Sequence, residues 1–148
     1  GNVTWFEALA GSRRPVARGP DEAQWEYAAR GPDSLEFPWG NTLDKDLLSW
    51  DRVEGIETEN VGSYPGGASW VGALDMSGGV FEWIKGIQFA YPYNPFDGRE
   101  DDTGESPRIV RGGSRYDNAN LGRVPDRFSV SPYFVADFVG MRCVRQGE

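Results

Sequence analysis

The sequence predicts an α+β domain built from two short helices and short strands, with much irregular loop between them. Three observations predict it. Twenty glycines and ten prolines in 148 residues are too many for long regular elements. Helical spacing of apolar residues holds over two stretches only, Val3 to Ala10 and Asp21 to Arg30. Strand-like stretches are equally brief, at Ile109-Val110 and from Val139 to Val144. With 39% hydrophobic and 14% aromatic residues, a chain of this length can bury the core of one domain.

The first helix is expected over VTWFEALA, with apolar residues at 3, 5, 6, 9 and 10. Thr4 and Glu7 have the spacing of a capping box, in which hydroxyl and carboxylate satisfy the free amides of the first turn. Gly11 to Gly19 is basic, contains Pro15 and reads as loop. Asp21 opens the second helix. Asp21 and Glu22 suit its positive dipole end, and Arg30 the negative one. Gly31-Pro32 ends it. Phe37 to Ala73 shows little periodicity, and its stretch from Asp44 to Asn60 is mostly polar and reads as surface loop. Gly72 to Ile84 is compact, Tyr91 to Pro107 is a long irregular excursion, and Ile109-Val110 leads into Gly112-Gly113. The last strand is expected over Val139 to Val144.

Charge and composition narrow the function. A net charge of −8 disfavours nucleic acid and anionic membranes, which need clustered Lys and Arg. No apolar run approaches the roughly 18–20 residues of a membrane span, and no N-terminal stretch reads as a signal peptide. The sequence opens inside an element, so the native N-terminus is expected upstream, in a longer multidomain protein. Cys143 is the single cysteine, so no intramolecular disulfide and no oxidising compartment is implied. A cytoplasmic location is the default expectation, with surface display the alternative if a targeting segment lies upstream. The absence of histidine and of a second cysteine points to binding rather than to His or Cys catalysis.

Seven segments, in order across nearly the whole chain, resemble the domain of formylglycine-generating enzymes, also called the sulfatase-modifying-factor domain. They are VTWFEALA, GPDEAQWEYAARG, FPWGN, ALDMSGGVFEW, YPYNPFDGRED, RIVRGGS and VGMRCVR. The resemblance implies a variant of the C-type-lectin fold lacking the N-terminal part of the family domain. It also implies where the chemistry should be. Oxidase members carry a copper-binding cysteine pair shortly after the Arg-Gly-Gly-Ser motif, and those places fall on Asp117 and Gly122. Cu(I) prefers soft thiolate ligands, which Asp and Gly cannot supply, so no copper is expected. Sulfoxide-synthase relatives use a histidine-ligated iron, and no histidine is present.

The same resemblance implies a structural calcium ion in ALDMSGGVFEW. Its ligands would be the Asp75 side chain, the Gly78 and Val80 carbonyls and the Glu82 side chain. Such a set suits the hard oxygen preference of calcium. The alternative is a turn before a strand, with Asp75 as a cap and Glu82 salt-bridged. Other motifs read plainly. Asp44-Asp46, Glu57-Glu59 and Asp101-Asp102 are carboxylate pairs in polar stretches and read as solvated loop. Gly112-Gly113-Ser114 lacks the lysine of a phosphate loop and reads as a turn. Trp25, Trp39 and Trp83 read as core.

Tyr116 to Phe138 is the candidate ligand surface. Ala119, Arg123, Pro125, Arg127 and Pro132 match framework positions of the family pattern. Between them lie Tyr116, Asp117, Asn118, Asn120, Leu121, Asp126, Phe128, Ser129, Tyr133, Phe134, Asp137 and Phe138. Aromatic area with small, adaptable polar groups is the chemistry of a paratope. The window contains no Lys, Glu, Gln, Met or Trp. Adenine-directed mutation of Asn codons would leave that gap, and the window therefore resembles the variable segment of proteins made by diversity-generating retroelements. The alternative is an ordinary loop-rich C-terminus, partly core. The expected function is binding of a protein or other macromolecule through this window. The competing expectation is a formylglycine-generating-type oxidase with a divergent site.

Overall fold

The computed structural model describes residues 2–12, 17–50 and 59–145. Parts of the two predicted loops, 13–16 and 51–58 with Glu57, lie outside the described residues. The chain divides into two compact units. The first is Gly1–Trp25, Glu82–Arg111 and Arg127–Glu148, and the second is Glu26–Phe81 and Gly112–Asp126.

Helix α1 spans Trp5–Ser12. It begins at Trp5 rather than Val3 because the cap, not the apolar spacing, sets the start. The Glu7 amide donates to the Thr4 hydroxyl (3.1 Å), and the Thr4 amide donates to the Glu7 carboxylate (2.8 Å). Helix α2 spans Glu22–Arg30. Its start carries a second reciprocal cap: the Gln24 amide donates to Asp21 (2.8 Å), and the Asp21 amide to the Gln24 side chain (3.2 Å). Gly31 ends it in a left-handed conformation (φ 68°), its amide donating to the Tyr27 carbonyl at 2.9 Å.

Among the described residues six short strands form two sheets: β1 (Ala17–Arg18), β2 (Phe81–Ile87), β3 (Arg108–Arg111), β4 (Phe128–Val130), β5 (Val139–Met141) and β6 (Val144–Arg145). The larger sheet has the order β4-β3-β2-β5, and β1 pairs with β6. β2 and β3 are antiparallel, pairing Glu82 with Arg111 and Trp83 with Val110, and the register then slips in a bulge before Ile87 meets Arg108. β3 and β4 are antiparallel with Ile109 opposite Ser129.

One strand expectation changes, and strands β2 and β4 were not expected. The single strand expected over Val139 to Val144 is two strands in different sheets, with the break at Arg142-Cys143, where Arg142 turns inward to Glu82. β2 shows no alternation in sequence because Glu82, Trp83 and Ile84 are all buried. β4 is only three residues long, too short for a period-two signal.

The core of the first unit includes Trp5, Trp25, Trp83, Ile84, Ile109, Val110 and Val139. Buried indoles need partners, and these have them. Trp5 donates to the Ile84 carbonyl (3.1 Å), Trp83 to the Val3 carbonyl (3.0 Å) and Trp25 to Glu82 (2.7 Å). The second unit is built mostly from turns around Ala29, Phe37, Leu48, Met76 and Val124. Loop amides replace ladders there: Gly78 donates to the Gly112 carbonyl (2.7 Å), Gly79 to Ser49 (2.9 Å) and Arg115 to Gly79 (2.8 Å). Trp39 is only half-buried, stacked on Phe37 with ring centroids 5.3 Å apart. No described helix is long and apolar enough to cross a membrane.

Candidate functional site

The two positions where the resemblance puts copper thiolates lie in the second unit, and both are occupied structurally. The Asp117 carboxylate accepts from the Ser114 amide (2.9 Å) and the Ser114 hydroxyl (2.6 Å), locking the turn after Arg-Gly-Gly-Ser. Gly122 is buried, and its carbonyl accepts the Ser77 hydroxyl at 2.5 Å. A Cβ there would sit 3.0 Å from the Ser77 hydroxyl oxygen and 3.3 Å from Leu48 Cδ1. A cysteine side chain would have to push both aside. The one cysteine of the chain, Cys143, is exposed in the first unit. These residues do not fit a Cu(I) ion.

None of the side chains named as ligand contacts is buried, whereas Gly122, Val124 and Pro132, interleaved with them, are. In the second unit, Asn118, Asn120 and Leu121 are exposed, and Tyr116, Asp117 and Asp126 are half-buried. Local bonds engage several of them. Asn118 caps the 3-10 turn Ala119–Gly122 by accepting from the Asn120 amide (3.0 Å). Asp126 pairs with Arg123 (2.9 Å), and the Arg115 guanidinium lies over the Tyr116 ring at 4.5 Å.

In the first unit, Ser129, Tyr133, Phe134 and Asp137 are exposed, and Phe128 and Phe138 are half-buried. Tyr133 is 56% exposed. It donates to Glu105 (2.7 Å) and its ring lies 5.2 Å from that of Phe6. The Glu105 carboxylate holds the phenol protonated, raising its pKa above the usual value of 10.0. Phe128 and Phe138 are thus partly core, as the alternative reading of the window has it.

The calcium set does not fit as the resemblance arranges it. Glu82 is 6% exposed, and both its oxygens are engaged: Arg142 donates at 2.9 and 2.7 Å, and Trp25 at 2.7 Å. A cation would have to displace a guanidinium. Asp75 accepts the Gly62 amide at 2.7 Å. Of the alternative arrangement the Glu82 salt bridge is present, whereas the Asp75 carboxylate bonds a distant amide rather than capping the turn before β2. Gly78 is required for the backbone itself, because at φ 76° a Cβ would lie 2.4 Å from the Ser49 carbonyl oxygen. Among the described residues, no three of His, Cys, Asp or Glu gather as a metal site.

Sequence reasoning missed the strongest electrostatic feature, the carboxylate of Glu22. It is 3% exposed and sits between two arginines, at 2.9 Å from Arg111 Nη1 and at 2.6 and 2.8 Å from Arg127. Arg111 also stacks over Trp25 at 5.2 Å. Its position in a first helical turn made Glu22 look like a solvent-facing dipole partner, and nothing local marks it as buried. Also missed was the surface role of Tyr91 and Phe96, 53% and 93% exposed. A signal existed: aromatics in a stretch rich in Pro and Asn have no periodic face to bury.

Comparison with known proteins agrees with the resemblance. The model of the sulfatase-modifying factor enzyme 1-like domain matches residues 1–147. The chain is 30% identical to the serine/threonine-protein kinase Pkn1 of Chlamydia trachomatis serovar L2, over 97% of the chain and 23% of that protein. It is 29% identical to the formylglycine-generating enzyme of Thermomonospora curvata, over 96% of the chain and 54% of the enzyme. The solved structure of Treponema denticola variable protein 1 superposes with a TM-score of 0.70 at 27% identity, covering 86% of this chain and 46% of that one. The chain thus spans between about a quarter and about half of these three proteins. With nearly every residue inside the family match, the chain belongs to the sulfatase-modifying factor enzyme 1-like family.

Proposed function

We propose that this chain is a binding domain of its family, displaying the side chains between Tyr116 and Phe138 to a protein or other macromolecule, and that it does not oxidise. The observation that carries the reading is the use of positions 117 and 122. Where the oxidase pattern calls for thiolates, Asp117 locks a turn and Gly122 sits where a side chain would crowd Ser77 and Leu48. The window supports that reading in part: none of the candidate side chains is buried, and Gly122, Val124 and Pro132 between them are, although of the expected framework Arg123 is exposed and Pro125 and Arg127 are half-buried. Likeness to a protein named for its variability supports the finer reading, a variable protein of a diversity-generating retroelement.

The identity to a formylglycine-generating enzyme favours the second reading, an oxidase with a divergent site. One experiment separates the two. The chain is incubated with Cu(I), oxygen and a sulfatase-derived cysteine peptide, and aldehyde is measured by mass spectrometry. We expect no aldehyde above the copper-only control; turnover would sink the binding-only reading. In the genome, a near-copy of the codons for 116–138 with adenines at the variable positions, beside a reverse transcriptase, is the expected mark of the finer reading.

A further inference from the structure

We infer that the first unit docks a cationic protein segment carrying an apolar anchor, through the aromatic edge exposed by residues 89–96 and 133–135. This rests on the binding-domain reading above and names the chemistry of its partner. The edge begins at Phe96, whose side chain is 93% exposed. A fixed turn holds it out. Asn94 Oδ1 accepts the Phe96 amide (3.0 Å), and Asp97 Oδ1 accepts the Arg99 amide (3.0 Å). The buried Arg99 guanidinium then closes on Asp97 (2.8 Å) and on the Ala90 carbonyl (2.9 Å). An anchor presented on a preformed turn loses little freedom on binding.

Other apolar side chains stand on the same segments: Tyr91 (53%), Tyr133 (56%) and Val135 (48%) are all exposed. Two fastenings tie the excursion to the C-terminal window. Arg127 donates to the Phe89 carbonyl (2.9 Å) and lies 4.6 Å from the Tyr91 ring centroid, and Tyr133 donates to Glu105 (2.7 Å). Large apolar groups concentrated on the surface mark an interaction site more often than single ones do.

Charge decides the occupant. Residues 88–107 carry Asp97, Glu100, Asp101, Asp102 and Glu105 against Arg99, and 131–138 add Asp137 and no cation. Arg99 is buried against Asp97 and neutralises it, so the negative charge of the edge is carried by Glu100, Asp101, Asp102, Glu105 and Asp137. The Arg99 guanidinium and the Thr103 hydroxyl hold the Asp97 and Asp101 carboxyls below the ordinary range, so both stay ionised at neutral pH. Anionic partners such as nucleic acid or a phospholipid surface are repelled, and so is a second copy of a chain with net charge −8. A Lys- or Arg-bearing segment with an aromatic or branched side chain meets both features, because its apolar group packs on the rings while its cations face the carboxylates.

The probe is a random peptide library displayed on phage and panned on the intact chain. Enriched peptides are synthesised and titrated against the chain and its Phe96→Ala variant at about 0.05 M and about 0.3 M NaCl. We expect peptides of net positive charge with an apolar anchor, about tenfold weaker for F96A and weaker at the higher salt. Phe96 is too exposed for its loss to unfold the chain, and a circular dichroism melt checks this. Neutral or acidic peptides, unchanged affinity for F96A, insensitivity to salt, or self-association of the chain would overturn the inference. If F96A binds normally while Asn120→Ala or Ser129→Ala abolishes binding, the docking edge is wrong and the binding-domain reading stands. If the library yields nothing, both fail.

Discussion

At the scale of single residues, buried charge decides more than any motif. Glu22 holds two arginines in a place nearly closed to water, and Arg111 is fully buried. Removing one partner of such a group strands the others. Glu22→Ala should therefore cost about 3–5 kcal/mol of stability, read from urea denaturation, and a change within experimental error would show that water or side-chain movement compensates. Glu82 makes a similar arrangement with Arg142 and Trp25. Because its oxygens are engaged, millimolar calcium should leave the thermal midpoint where chelator leaves it. A clear upward shift with calcium that Glu82→Gln abolishes would restore the ion to this loop.

Among elements, caps and close approaches set boundaries that hydrophobic periodicity only approximates. The Thr4–Glu7 box was legible because both residues act within one turn of sequence. Thr4→Ala should cost about 1 kcal/mol, measured by thermal or urea unfolding, and it should lower the helical signal of α1 first. The box also carries a pH dependence. Bonds from the Thr4 amide and hydroxyl lower the Glu7 pKa, so its contribution is complete above the usual value of 4.5 and is lost as pH falls through the lowered one. The strands were less legible. β3 was expected two residues long and is four, while β2 and β4 gave no usable pattern. Their lengths come from partners far away in the chain, such as Arg111 opposite Glu82.

For the molecule as a whole, the question is whether a surface can vary while the fold stands. The C-terminal window mixes both kinds of position. Substituting Asn120, Ser129 or Phe134 singly by Ala, Tyr or Asp should change stability by about 0.5 kcal/mol or less. Gly122→Ala should cost about 1–3 kcal/mol, the usual penalty for overpacking. Melting curves of the set test this; equal sensitivity at both kinds of position would argue against a diversifiable surface. The oxidase test belongs at this scale too, since activity would need ligands from outside the pattern.

The sequence by itself determined the family, the α+β class, both helices and the absence of a thiolate pair. Each of these rests on residue identity or on spacing within one turn, which local sterics and hydrogen bonding translate directly into structure. Only the tertiary structure decided the rest. It placed Glu22 between two arginines, paired Glu82 with Arg142, split the last strand at Arg142, and left Phe96 exposed. Burial and pairing depend on which distant segments meet. A carboxylate or an aromatic ring carries no local mark of the partner, or the solvent, that the fold will give it.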